Sequence, residues 1–474
     1  MNIHINWITA GKNMIFKRKS FESVKEESNR SQLQKTLSGF DLVLLGLGAI
    51  IGTGVFTLTG LVAAQYSGPA VTISYLLAGV ICIFVALGYT EIATTLPTSG
   101  SIYTYSYVLF GEIIAWLVGC TVVMELCCAC SVVAGGWSAY FQGILNVAGY
   151  NLPEAWGKTV FEGGIINLPA CGIVIAVGSM LYFGTKDSKK LNTILVFVKI
   201  AVLFLFMVLI APSFDATINW VDFMPYGFDG VLFGTTVLFF SFKGFAILAT
   251  TAEECKNPKK DLVVGILGSL TLCTVLYMIV GALLTGVVSY KVLNNAQPLA
   301  YVLQVHGYNI GSTLVATGGI AGMTTVIMMN IYGLSRICYV VARDGLLPKY
   351  MVKIHPKYGT PYIAIAMFTI IIAIMAAFLP YFVLAKLASM AALIDYSVAV
   401  LAAILLRVYL PNIERSFKCP LLFVLGPITL VALLVLLFRE VIDKDGSLLL
   451  NGRIMICWFL LMLLVYISRK LVLR

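Results

Sequence analysis

Long apolar segments recur along almost the whole chain and are separated by short polar segments. Twelve such runs can be marked, and most are long enough for a helix that crosses a hydrocarbon core about 30 Å thick. They are residues 41–65, 70–96, 113–143, 165–183, 191–211, 229–251, 262–289, 311–342, 361–379, 381–406, 420–438 and 454–468. The pattern predicts an all-α polytopic membrane protein with twelve transmembrane helices.

The first run contains a stretch, Gly46–Gly60, in which five of fifteen residues are glycine. Glycine costs roughly 1 kcal/mol relative to alanine in a helix interior, so a plain membrane helix gains nothing from it. Gly52-Thr53-Gly54 lies about eleven residues past Asp41, near the middle of the bilayer. A broken helix at that depth is tolerated where it lines a cavity or is buried in protein. We expect half of a substrate site here; helix packing through Gly48-x-x-x-Gly52 is the alternative.

The sixth run carries a similar polar interruption, Ser241-Phe-Lys-Gly244, again near mid-depth. The first and sixth helices run in opposite directions, so their matching breaks predict a five-plus-five inverted repeat with the site at the repeat interface. The expected organisation is a tail, a ten-helix core made of two repeats, and a final pair of helices with the carboxyl terminus. The corresponding ranges are 1–38, then 39–407 (39–212 and 228–407), then 408–474.

Composition agrees with this class, since 60% of residues are hydrophobic and only 11% are charged, against roughly 25% charged in soluble domains. Basic residues cluster in the amino-terminal tail, after the fourth, sixth, eighth and tenth runs, and at the carboxyl end. The opposite loops hold only Lys158, Lys291, Arg439, Lys444 and Arg453. The positive-inside rule therefore predicts both termini in the cytosol, with the protein in the cell membrane. It also accounts for the net charge of +10 without a nucleic-acid partner.

The usual enzyme signatures are missing. The Gly-Lys pairs at Gly11 and Gly157 lack the remainder of a phosphate loop, and Gly46-x-Gly48 does not continue as a dinucleotide fingerprint. The cysteines fall mostly in apolar segments and are interpreted as packing residues, and the three histidines are far apart in the sequence. We therefore expect no enzyme activity, no cofactor and no metal.

Ionisable residues deep in a membrane are candidates for function. Lys199 on the fifth helix either extends to the inner interface or takes part in coupling. Glu125 on the third helix is too deep for a short side chain to reach water, so a buried, partnered carboxylate is expected, with its role in transport or structure open. Lys243 either pairs with Glu125 or faces a substrate carboxylate. Asp395 on the tenth helix is a weaker candidate.

Other residues allow two interpretations each. Thr324 and Thr325 could supply hydroxyl ligands or bond back to their own helix. The aromatic rings of Phe240, Phe242 and Phe245 could line a pocket or face lipid. Glu91 and Glu112 lie near inner helix ends, where a solvated position suffices.

An unwound helix presents amides at the start of its outer half and carbonyls at the end of its inner half. The amides attract a carboxylate and the carbonyls attract an ammonium or a cation. A zwitterionic amino acid supplies both charges, whereas a sugar or lipid does not require this arrangement.

Five stretches resemble amino acid permeases of the amino acid–polyamine–organocation superfamily, in the order in which that family has them. They are Gly48–Phe56, Pro97–Tyr105, Phe239–Phe245, Ala252–Pro258 and Ser335–Leu347. Glu125 and the Gly136-Trp-Ser138 that follows it resemble the cationic amino acid transporter branch and its bacterial relatives. The resemblance covers nearly the whole chain.

The resemblance implies a 5+5 inverted repeat of the LeuT type, two peripheral helices and alternating access. It assigns the substrate carboxylate to the amides around Gly52, Thr53 and Gly54. It assigns the substrate ammonium to carbonyls near Ile50 and, on the sixth helix, near Phe240, Ser241 and Lys243. It implies proton coupling through Lys199, beside Thr324 and Thr325. Phe245 is also predicted in the site, because it lies next to the sixth-helix break.

Two departures bear on specificity. Many relatives carry an acidic residue where this chain has Ala246, and Lys243 occupies a position that is often apolar in the branch. We therefore do not expect a cationic substrate. The main hypothesis is proton-coupled amino acid uptake. The alternatives are an exchanger of two amino acids, or of an amino acid and its amine, and a membrane sensor or partner subunit without turnover. The sequence does not specify the substrate, the stoichiometry or an accessory membrane subunit.

Overall fold

The computed structural model describes residues 18–29, 35–147, 149–295, 297–442 and 447–472. Over these ranges the fold is built from α-helices. They are α1 (Phe21–Asn29), α2 (Gly39–Ile50), α3 (Thr59–Val62), α4 (Val71–Thr95), α5 (Ser101–Phe110), α6 (Glu112–Val147), α7 (Glu154–Gly157), α8 (Leu168–Phe183), α9 (Thr185–Ile210), α10 (Ala216–Asn219), α11 (Gly227–Phe239), α12 (Ile247–Thr250), α13 (Pro258–Val287), α14 (Pro298–Val305), α15 (Asn309–Arg343), α16 (Tyr362–Phe378), α17 (Tyr381–Tyr409), α18 (Leu422–Val441) and α19 (Leu450–Val472).

Shorter elements connect these helices. Two π-helical turns, Gly54–Leu58 and Ala63–Ser67, flank α3, and a 3₁₀ turn at Phe240–Phe242 follows α11. Isolated backbone bridges join Leu37 to Cys255 and Ile442 to Leu448.

Nine helical segments in the described part of the chain are long and apolar enough to cross a membrane. Three shorter apolar helices, α2, α8 and α16, accompany them. Each of the twelve apolar runs overlaps one of these segments, and the first two runs meet in the continuous segment Gly54–Thr95. The protein is therefore an all-helical polytopic membrane protein.

The broken elements α2 and α11–α12 lie at the centre of the helix packing. α2 packs against α13, α15 and α9, and α11 packs against α4. The long helix α6 packs against α15 and α17 and so closes the other side of the centre. The residues predicted for the substrate site are thus surrounded by protein.

The amino-terminal segment is attached to the helical core. Val24 of α1 is buried, and the Lys19 ammonium lies 2.6 Å from Asp344 Oδ1. The backbone N–H groups of Thr36 and Leu37 donate to the carbonyl of Glu254. The remainder of the expected tail, residues 1–17 and 30–34, lies outside the described residues, as do Lys444 and Arg474.

Glu91 and Glu112 are not solvated, contrary to the expectation from their place near helix ends. Glu91 is fully buried and accepts hydrogen bonds from Arg407 Nε (2.8 Å), Arg407 Nη2 (2.6 Å) and the Cys419 amide (2.8 Å). Glu112 accepts from the hydroxyls of Tyr107 and Tyr466 at 2.9 Å each. Both carboxylates therefore join helices that are distant in the sequence.

We expect Glu91→Gln to lower the free energy of unfolding by about 3 kcal/mol, because it strands Arg407 without its buried counter-charge. Thermal unfolding in detergent, followed by tryptophan fluorescence, measures the change as a lower midpoint. Glu154→Gln is the matched control, since Glu154 pairs with Lys158 at an exposed position and should leave the midpoint unchanged. Equal midpoints for the two variants would contradict this role of Glu91.

Candidate functional site

The first helix is interrupted where the glycine-rich stretch predicted. α2 ends at Ile50, and Ile51 is extended, with φ −76° and ψ 104°. Helical structure resumes with the wider π-helical turn that begins at Gly54. A Cβ atom on Gly54 would lie 2.5 Å from Ser241 Cβ, so glycine at this position lets the second interruption approach.

The sixth helix is interrupted opposite the first. After the 3₁₀ turn Phe240–Phe242, Lys243 is extended (ψ 155°) and Gly244 has φ +107°, a conformation that suits glycine. A Cβ atom on Gly244 would lie 2.6 Å from the Ala49 carbonyl oxygen. The two breaks therefore touch each other directly through glycine positions.

A cavity lies beside the two breaks and, together with the space at its open mouth, encloses about 740 Å³. Seven of the eight residues predicted for the substrate site line it, as do the predicted residues Glu125 and Ala246 and the weaker candidate Asp395. The predicted residues that line the cavity are Ile50, Gly52, Thr53, Gly54, Phe240, Ser241, Lys243, Glu125, Ala246 and Asp395. Their roles in binding stay a prediction, but their predicted proximity is present in the fold.

Phe245 is the exception and its predicted place in the site needs correction. Its ring is fully buried and packs against the rings of Tyr396 (5.0 Å between centroids) and Tyr89 (6.0 Å). Those two tyrosines line the cavity, so Phe245 lies behind them. Phe242 likewise packs against Tyr75 and Tyr277. The positive φ of Gly244 turns the chain between these two phenylalanines. The sequence predicts the break but not that both of these rings lie outside the cavity lining.

Lys199 lies away from the cavity, at the inner side of the first break. Its side chain is fully buried, so it does not extend to the membrane interface. Its Nζ atom donates to the carbonyl oxygens of Leu47 (2.7 Å), Ile51 (3.0 Å) and Gly48 (3.1 Å) and to Thr325 Oγ1 (2.9 Å). An ammonium has three N–H donors, so these four oxygens share them. Lys199 thus connects the interrupted end of α2 to α15.

Only one of the two predicted threonines reaches Lys199. Thr325 is fully buried and its hydroxyl lies 2.9 Å from the Gly48 carbonyl oxygen. Thr324 bonds back to Ile320 and accepts a hydrogen bond from Trp137 Nε1 at 3.0 Å. Adjacent residues on a helix point about 100° apart, since a turn takes 3.6 residues. Thr324 therefore faces α6, and its predicted place beside Lys199 is corrected.

Tyr277 joins the two breaks and was not foreseen. Its hydroxyl lies 3.0 Å from the Ile50 carbonyl oxygen and 3.3 Å from the Ser241 carbonyl oxygen. The signal available in the sequence was a tyrosine within the apolar seventh run, where a buried hydroxyl requires a partner.

The charged residues Lys243, Glu125 and Asp395 all line the cavity. Within the described ranges, the Lys243 ammonium has no hydrogen-bond partner and forms no ion pair within 4.0 Å. The expected alternative of a direct Lys243–Glu125 salt bridge is therefore not formed.

A family model described as amino acid permease matches residues 37–466. The chain belongs to the amino acid permease family. Members of this family and the related proteins below are transporters, so the permease is not an enzyme. The match spans both breaks and every residue of the candidate site.

Three relatives illustrate the neighbourhood of this permease. It is 41% identical to the branched-chain amino acid permease BcaP of Bacillus subtilis, over 86% of this chain and 89% of the relative. It is 39% identical to the methylthioribose transporter of the same organism, over 86% of this chain and 88% of the relative. It is 33% identical to the mouse cationic amino acid transporter 4, over 81% of this chain and 61% of the relative.

We expect Tyr277→Phe to slow amino acid uptake by the permease roughly three- to tenfold, because one hydrogen bond contributes about 0.5–1.5 kcal/mol. Initial rates in proteoliposomes measure the effect. Tyr150→Phe removes an exposed hydroxyl in the loop between α6 and α7 and should leave the rate unchanged. An unchanged rate in Tyr277→Phe would mean that the bridge between the breaks is not needed for turnover.

Proposed function

We propose that this permease is a secondary active transporter that takes up an amino acid together with a proton, by alternating access. The observation that carries the proposal is the set of four oxygens around Lys199. A buried lysine can release its proton, and its hydrogen bonds to α2 and α15 depend on that proton. Protonation of one group is thereby linked to the position of the helix that holds the substrate site.

The proton switch follows from these contacts. When Lys199 is protonated, its ammonium holds the carbonyls of Leu47, Gly48 and Ile51 against Thr325. When it is neutral, the positive charge that attracts these oxygens is lost, and α2 is free to separate from α15. Opening of the inner side would then accompany proton release, which couples movement of the proton to movement of the substrate.

The proposed substrate site lies at the first break. The first turn of a helix leaves amides without partners within that helix, and those that follow Ile51 favour a carboxylate. Carbonyls near Ile50 and Ser241 favour an ammonium. The amides and the carbonyls together fit the charged groups that all α-amino acids share. The remaining cavity residues therefore determine which amino acid side chain is bound.

The proposed architecture is twelve membrane helices, with a core of two inverted repeats over 39–212 and 228–407, and helices 11 and 12 with the carboxyl terminus in 408–474. The helix contacts occur in pairs that such a repeat would relate. α2 packs against α13 as α11 packs against α4, and α6 packs against α17 as α15 packs against α9. Both breaks fall in the first helix of a repeat, which supports this arrangement.

We further propose a location in the cell membrane with both termini in the cytosol, including the 1–38 tail. The distribution of basic residues between alternate loops supports this orientation. Amino acid, proton and lipid bilayer are the proposed partners, and nothing in the chain calls for a nucleic acid. An accessory subunit stays an open question.

Reconstitution of the purified protein in proteoliposomes tests the proposal. Uptake of a radiolabelled amino acid should rise when the interior is made alkaline and should require no internal substrate. An absolute requirement for internal amino acid, with indifference to the pH gradient, would instead identify an exchanger. Binding without any flux would identify a sensor and refute transport.

A further inference from the structure

The cavity contains a buried cation without a hydrogen-bond partner among the described residues. Lys243 is 7% exposed, and its Nζ atom lies 5.0 Å from the centre of the Phe240 ring. Among the residues that the structure describes, no acceptor completes its hydrogen bonds. Leaving a buried charged donor unpaired is costly, so a group in the cavity is expected to accept from it.

Two carboxyl groups face the same space. Glu125 reaches the cavity from α6, and Asp395 from α17, and both are at least nine-tenths buried. Tyr396, the next residue on α17, also lines the cavity, and its buried hydroxyl has no hydrogen-bond partner within the described ranges. Donors and acceptors are therefore both offered to one ligand group.

The mixture of charges in the cavity weighs against two classes of side chain. A cationic side chain would meet the Lys243 ammonium as well as the carboxyl groups, and an anionic one would meet Glu125 and Asp395 as well as the ammonium. In a site of low dielectric, either contact with a like charge is strongly unfavourable. An aliphatic side chain would avoid repulsion but would leave the Lys243 and Tyr396 polar groups without partners.

We propose that the cavity selects amino acids whose side chains are polar and uncharged, with a hydroxyl or carboxamide group. This inference rests on the proposed function, since it assumes that the amino acid backbone is held at the first break. A carboxamide oxygen accepts from Lys243 while its NH₂ group donates to a carboxylate, and a hydroxyl group does both with one atom. Lys243, at a position that is often apolar in the related branch, thus sets the preference for a polar, uncharged side chain.

Pairs of amino acids with nearly equal shape test the proposal. Threonine is compared with valine, asparagine with leucine, and glutamine with methionine, as competitors in counterflow and as ligands that raise the midpoint of thermal unfolding. We expect the polar member of at least one pair to bind at least about tenfold more tightly than its apolar match, because a site built for a hydrogen bond rejects analogues that lack it.

Lys243→Met tests the role of the cation. The preference within the favoured pair should fall to about twofold or less, while Lys291→Met, a change at an exposed loop lysine, should keep it. Because Lys243→Met could fail to fold, size-exclusion chromatography precedes the assay, and the wild-type comparison stands without the variant. Survival of the full preference in a folded Lys243→Met protein would overturn the role of Lys243.

The other outcomes separate this inference from the proposed function. Equal or tighter binding of all apolar members, or tightest binding of lysine, arginine, aspartate or glutamate, would overturn the inference and leave amino acid transport intact. Absence of counterflow and of thermal stabilisation with every amino acid would overturn the proposed function itself, and this inference with it.

Discussion

Lys199→Met is expected to abolish accumulation of amino acid driven by a pH gradient while counterflow continues. Methionine is nearly as long as lysine but has no ammonium, so the carbonyls of Leu47, Gly48 and Ile51 lose their donor in every state. With one proton per substrate, each pH unit supports roughly tenfold accumulation, since it is worth about 1.36 kcal/mol. We expect this ratio to fall to about one in the variant.

Proteoliposomes with an imposed pH gradient measure the accumulation ratio, using the amino acid that gives the strongest counterflow with the wild-type protein. Lys386→Met, which replaces an exposed lysine on α17, controls for the loss of one positive charge and should accumulate normally. Loss of counterflow in Lys199→Met would point to a structural role instead. Accumulation at the wild-type ratio would refute coupling through Lys199.

The breaks in the two helices could be predicted because their cause is local. Glycine and polar residues in the middle of an apolar run disfavour a continuous helix whatever surrounds them, and Gly54 and Gly244 lie where the interruptions occur. A second argument predicts that Lys243 could pair with Glu125, because charges buried in a membrane tend to pair with one another. Both residues line the same cavity.

The features that could not be predicted depend on how each helix is rotated about its axis and on contacts between residues far apart in the sequence. Thr324 and Thr325 have the same chemistry, and only the orientation of α15 selects the one that meets Lys199. Glu91 is buried because Arg407 lies beside it in the fold, 316 positions along the chain. One sequence contains no record of such a pairing, so a solvated glutamate was the natural but wrong expectation.

Gly244→Ala is expected to lower transport roughly tenfold or more and to lower the midpoint of thermal unfolding. Alanine at φ +107° is strained by about 1–3 kcal/mol, and its Cβ atom would lie 2.6 Å from the Ala49 carbonyl oxygen. Because that oxygen belongs to the backbone, no side-chain rotation relieves the collision, and the two breaks must separate. Separation would displace the inner end of α2, where Leu47 and Gly48 contact Lys199.

Gly307→Ala distinguishes collision from strain in this prediction. Gly307 has φ +81° in the turn between α14 and α15, and a Cβ atom there would meet nothing within 4 Å. This control therefore carries the conformational strain without the contact, so it should lose some thermal stability but transport at nearly the wild-type rate. If Gly244→Ala transports as well as Gly307→Ala, then the close approach of the two breaks is not required for turnover. If it alone loses transport, the contact between Gly244 and Ala49 positions the proposed substrate site relative to the Lys199 contacts.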